Sequence, residues 1–135
     1  MKYDIFFLDD ELGTITEFHG TLTDDLLIQC AKERFSYPER NKKFKYIITD
    51  FSNSNEIDIS VSTVKIIAQM AIEVSKVNKN ITVASAMPKD LVFGLGRMWQ
   101  AYADETGWNS HMFHSRVEAE NWVKEQLNED LNFNY

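Results

Sequence analysis

Two uninterrupted apolar runs, residues 44–51 (FKYIITDF) and 81–86 (ITVASA), constrain this chain more than anything else in it. A half-buried strand alternates apolar with polar side chains. Runs without that alternation belong to strands covered on both faces. Between them, residues 61–77 place Val64, Ile67, Ala68, Ala71 and Ser75 on one helical face and Ile66, Met70, Val74 and Val77 on a second. Only Lys65, Gln69, Glu73 and Lys76 make a polar stripe, which is too narrow for a helix buried on one side alone.

The flanking segments extend this strand–helix–strand unit. Residues 3–8 are aromatic and β-branched, Asp9-Asp10-Glu11-Leu12-Gly13 supplies a turn, and residues 14–19 return, so the chain opens with a hairpin. Thr21 or Thr23 caps a helix whose first turn holds Asp24 and Asp25, and Tyr37-Pro38 ends its pattern. After the second run, Pro88 permits a helix start. Leu91, Leu95, Met98, Trp99 and Tyr102 then share a face, and Gly107 stops it. Residues 109–114 read as a short strand, and Ser115 with Glu118 forms a capping box opening a last helix. The order ββαβαβαβα predicts an α/β sandwich with a mixed sheet of about five strands and four helices. Residues 1–127 form one domain, followed by an acidic tail at 128–135.

Charge and cysteine usage narrow the function. A formal charge of −7 is the wrong sign for nucleic acid, whose binders replace counterions with a basic surface. Arg40, Lys42, Lys43 and Lys45 form one local basic cluster, read as a solvated loop rather than an anion site. Cys30 is the single cysteine, on an apolar helical face where a thiol acts as a small hydrophobe. Acids at Asp4, Asp9, Asp10 and Glu11 break up any N-terminal signal sequence, and no window is long enough to span a membrane. The expected location is the cytoplasm.

Open α/β sheets bind ligands at the C-terminal ends of their parallel strands, so the leading site is the loop over residues 52–60. Asp50 ends the strand before it, Asp58 and Ser60 open the next helix, and Arg97 is placed to reach an anion or one of these carboxylates. Each has a plainer reading. Ser60 capping the helix through Ser62 or Thr63 needs no partner at all, and Arg97 can simply be solvated or paired within the fold. Gly94-Leu95-Gly96 lacks the third glycine of a dinucleotide fingerprint and reads as close helix packing. His111 and His114 point to opposite faces of a strand, and His19 stands alone, so no metal or other cofactor is expected. Nucleophile elbow, P-loop and zinc-protease signatures are absent from the sequence.

Residues 46–71, YIITDFSNSNEIDISVSTVKIIAQMA, resemble the central segment of STAS domains, the fold of anti-sigma-factor antagonists and sulfate-transporter domains. There a strand ending in Asp leads to an Asp-Ser-Ser-Gly stretch opening a helix. Asp58 matches the Asp and Ser60 the second Ser, which in the antagonists is phosphorylated, whereas Ile59 and Val61 replace the first Ser and the Gly. Phe93-Gly94-Leu95-Gly96-Arg97-Met98, Phe113 and Glu118-Ala119-Glu120-Asn121-Trp122 are similar to the small stand-alone SpoIIAA-like branch. The resemblance implies a non-enzymatic regulatory module contacting a partner protein through residues 52–60 and the following helix. That branch shares its fold with lipid-binding domains of the Sec14 type, which implies the alternative of a small apolar or lipid-like ligand. The thin polar stripe on residues 61–77 adds the expectation of a homodimer through that helix or the helix at residues 91–102.

Overall fold

A computed structural model describes residues 2–87, 89–129, 131 and 133, with Leu91 described in its backbone only. Five strands, β1 (Tyr3–Leu8), β2 (Gly13–Thr23), β3 (Tyr46–Asp58), β4 (Thr82–Ala86) and β5 (Asn109–Phe113), lie side by side in sequence order. β1 runs antiparallel to β2, and β2 to β5 are mutually parallel, so the sheet is mixed. The helices are α1 (Asp24–Arg34), α2 (Pro38–Lys43), α3 (Val61–Ser75), α4 (Asp90–Tyr102) and α5 (Arg116–Leu127). Each parallel crossover moves one strand in the same direction, and right-handed connections then place α1, α3 and α4 on one face. α5 follows the last strand and covers the other face, where Ala119 and Val123 pack on Ile15, Tyr46, Ile48 and Ala84.

Both apolar runs are interior strands, paired on each side, and both are buried almost throughout. Ile48 and Ala84 have no solvent exposure under α5, while Ile47 and Val83 are buried under the helical layer. Fully burying an aliphatic side chain contributes about 1.5–3 kcal/mol, which explains why these strands tolerate so little polarity.

Two departures from the sequence reading have physical causes. First, β3 does not end at Phe51. It runs on through SNSNEID to Asp58, because β2 also continues past His19 and pairs with it from His19↔Asn53 to Thr23↔Asp58. β4 stops opposite Asp50, so among the described residues this second half of β3 has only β2 as a ladder partner, and it is largely exposed. Polar residues there mark a half-open strand rather than a loop.

Second, α1 stops at Arg34, and Pro38 instead sits at the first turn of an additional helix, α2, a position where its missing N–H costs nothing. Among the described residues there are therefore five α-helices, with a short 3-10 turn at Asp104–Thr106. Beyond α5, Leu131 and Phe133 pack against the α5 face, Phe133 edge-on to Tyr46 at 5.5 Å. Asp130, Asn132, Asn134, Tyr135 and the helix-starting Pro88 lie outside the described residues. α3 is flanked by α1 and α4 within the helical layer, where Val64, Ala68 and Ala71 of its first apolar face and Val74 of its second are buried. Val61 and Ile66 remain exposed on it, as does Val77 just beyond its end. Among the described residues no helix is long and apolar enough to cross a membrane.

Candidate functional site

The four sequence-predicted residues do not form one site. Side chains alternate along β3, so Thr49 and Phe51 face the helical layer while Asp50 faces α5. Asp50 is buried, accepts the Ser52 N–H at 2.9 Å and lies 3.5 Å from the Arg116 guanidinium. Arg116 also binds Glu17 and, at 3.1 Å, Glu120. Its own burial disfavours the charge, but the hydrogen bonds and charges of Glu17 and Glu120 outweigh that and raise its pKa. Arg116, not Arg97, is therefore the partner of Asp50. Arg97 is exposed on α4 with its guanidinium over the Phe93 ring at 5.3 Å, on the opposite side of the sheet. Among the described residues it has no carboxylate within ion-pairing distance.

Asp58 is exposed at the end of β3, in register with Thr23. Ser60 is exposed as well, yet its Oγ accepts the Thr63 N–H at 3.3 Å and caps α3. Its own N–H donates to Asp24 Oδ1 at 2.8 Å, joining the start of α1 to the start of α3. Capping by such a side chain contributes about 1 kcal/mol. Ser60→Ala should therefore lower folding stability by about 1 kcal/mol, read as a lower urea midpoint at unchanged slope; an unaltered midpoint would contradict the capping role.

The Ser60 backbone bond holds the Asp24 carboxyl below its ordinary value of 3.8; desolvation opposes it, and the Thr63 and Ser60 side-chain bonds add to the lowering. A depressed carboxyl stabilises the fold above its unfolded pKa and loses that contribution as pH falls through the folded one. The amide shift of Ser60, followed by NMR, should thus titrate with a midpoint below 3.8. A midpoint at or above that value contradicts the contact.

The remaining motifs resolve locally. A Cβ on Gly96 would run into the Met112 Sδ and lie 2.6 Å from the Met87 Sδ, so this glycine is close packing, whereas nothing approaches Gly94. The ring of His114 stacks on Phe93 of α4 at 4.9 Å, while His111 faces Trp122 of α5 at 5.7 Å; the rings diverge as expected. Every member of the basic cluster is ion-paired: Arg40 and Lys43 to Glu11, Lys42 to Glu39, Lys45 to Glu129. His19 is not alone. It bonds Asp4 at 3.0 Å, and the hairpin register brings Glu17 within the same group, ligand atoms all within 4.8 Å of one another. Arg116 already neutralises Glu17 there. Cys30 is fully buried and its pKa is raised, chiefly by that burial, as befits an inert thiol.

What the sequence reading missed is a cavity of about 120 Å³ between the sheet and helices α1, α3 and α4. α3 contributes Val64, Ile67 and Ala71 to it, and α4 contributes Val92, Leu95, Gly96 and Trp99. Leu22, Phe51 and Met87 line it from the sheet side. The space arises where small side chains meet: Ala31, Ala71 and Gly96 from the helices lie over Thr49 and Ser85 from the strands. Thr16, Thr49 and Ser85 pair in register across β2, β3 and β4 and form a row of hydroxyls, of which Thr49 and Ser85 border a mainly apolar chamber. The signal was present in the sequence. Thr49 in YIITDF and Ser85 in ITVASA are hydroxyls inside strands that are otherwise apolar on the same face.

Comparison with protein-family models, curated proteins and solved structures finds no match for this chain.

Proposed function

We propose that this chain is a non-enzymatic binding domain for a small, largely apolar ligand held between the sheet and helices α1, α3 and α4. The cavity is the observation that carries this reading. At about 120 Å³ it approaches the engineered voids of roughly 150 Å³ that stay dry and take up benzene. Side chains that border such a space lack packing partners on one side. A ligand that fills it restores those contacts. The strand order never reverses among β2 to β5, so the sheet offers no crevice of the kind that holds ligands at a switch point. Space for a small molecule lies under the helices instead. Within this proposal the chain is a STAS-like domain of the SpoIIAA-like branch, and its ligand use parallels that of the lipid-binding domains to which the branch is related.

Native mass spectrometry of freshly purified protein tests the reading. The expected spectrum shows a small organic adduct, or uptake of an added apolar probe such as toluene, lost on denaturation. Bare protein that takes up no probe overturns it.

A second reading is favoured by one observation. The Ser60 hydroxyl is exposed beside Asp58 and Val61, so a partner protein meeting the start of α3 would find them together. Phosphate on Ser60 would gain from the amides of the helix terminus but would crowd Asp58 and the Asp24 carboxylate already bonded there. The geometry makes the hydroxyl a cap first.

A further inference from the structure

We propose that the cavity selects a compact monocarboxylate, its apolar body lying between α3 and α4 and its carboxylate bound by Arg34 beside the hydroxyl row. This rests on the ligand-binding reading and adds the chemical class of the ligand.

Arg34 is the last residue of α1 and borders the cavity. Among the described residues it is a cation without an acid: no carboxylate lies within ion-pairing distance. Its Nη2 donates to Thr16 Oγ1 at 3.2 Å and, weakly, to Cys30 Sγ at 3.7 Å. Its Nε–H is buried with no acceptor. A buried donor on a charged group that goes unmet is costly, and proteins leave few such groups. An incoming carboxylate supplies the missing acceptor and charge together, since the guanidinium fork matches a carboxylate with two parallel bonds.

The surroundings fit the same ligand. Thr16, which Arg34 touches, begins the in-register row that continues through Thr49 and Ser85 into the cavity floor. Hydroxyls accept or donate as needed, so the row serves either a carboxylate oxygen or a bridging water. Above it, Ile67, Leu95 and Trp99 offer nothing but apolar contact and an aromatic face. The volume admits a body of benzene size. A cationic head would be repelled by Arg34, and a neutral one could accept the Nε–H but would leave the guanidinium charge without a counter-ion.

The test compares benzoate, benzamide and benzylamine by NMR titration of the labelled full chain. Benzoate is expected to bind at least tenfold more tightly than benzamide, with benzylamine weaker than either. In Arg34→Gln the benzoate preference should vanish while benzamide binding persists, which also shows that the variant folds. Should Arg34→Gln not fold, Arg34→Lys serves, because it keeps the charge and loses the fork; it should lose most of the preference and retain benzamide. Benzamide bound as tightly as benzoate by the unaltered chain, or a preference that survives in the Arg34 variant, overturns the carboxylate assignment and leaves the apolar cavity standing. Failure of all three probes to shift any cavity resonance overturns both.

Discussion

Arg116→Gln is expected to lower folding stability by about 3 kcal/mol, the loss typical of removing one partner from a buried ionic cluster. One guanidinium at the start of α5 meets three carboxylates, Glu17, Asp50 and Glu120. The Asp50 side chain is 7% exposed and retains only the Ser52 amide when Arg116 is gone. The change leaves uncompensated negative charge under a helix, and water reaches it poorly. Arg116→Lys should recover part of the loss, because an ammonium restores charge but not the planar fork. Urea denaturation measures both, and the expected signature is a lower midpoint at unchanged slope. Loss below 1 kcal/mol in Arg116→Gln would mean that the cluster is solvated. Since the cluster lies on the α5 face, toluene uptake per folded molecule should not change, which separates this structural role from a ligand role for Asp50.

Ala71→Leu is expected to act in the opposite sense, raising stability and abolishing ligand uptake. Ala71 is buried on α3, borders the cavity and faces the sheet. Filling half of the roughly 120 Å³ void recovers about 1–2 kcal/mol at the usual cost per unit volume, or roughly 4 °C in melting temperature. The same methyl groups occupy the space a ligand needs, so affinity for toluene should fall by well over tenfold. An overpacked core behaves otherwise, losing about 1–3 kcal/mol when a side chain is enlarged. A lower melting temperature for Ala71→Leu, with toluene still bound, would place the ligand elsewhere.

The sheet was legible in the sequence because burial on two faces leaves an unambiguous mark. FKYIITDF and ITVASA have no polar alternation, and both prove to be interior strands. The capping motifs were equally readable: Thr23, Ser60 and Ser115 each accept an amide at the helix start predicted for them. The second half of β3 was not, since SNSNEID carries loop composition and its strand state depends on pairing with distant residues 19–23 of β2. The candidate site failed for a related reason. Grouping Asp50 with Arg97 ignored the parity of β3, which sends Thr49 toward the helices and Asp50 toward α5. The cavity depends on which small residues meet across elements, and Ala31, Ala71, Gly96 and Ser85 become neighbours only in three dimensions.

Intermolecular NOEs from bound toluene to methyl-labelled protein test the central claim most directly. The account predicts saturable contacts to Val64, Ile67, Val92 and Leu95, which border the cavity, and none to Ala119 or Val123 beneath α5. Contacts confined to the exposed methyls of Val61, Val77 and Val117, or no saturable contact at all, would contradict it.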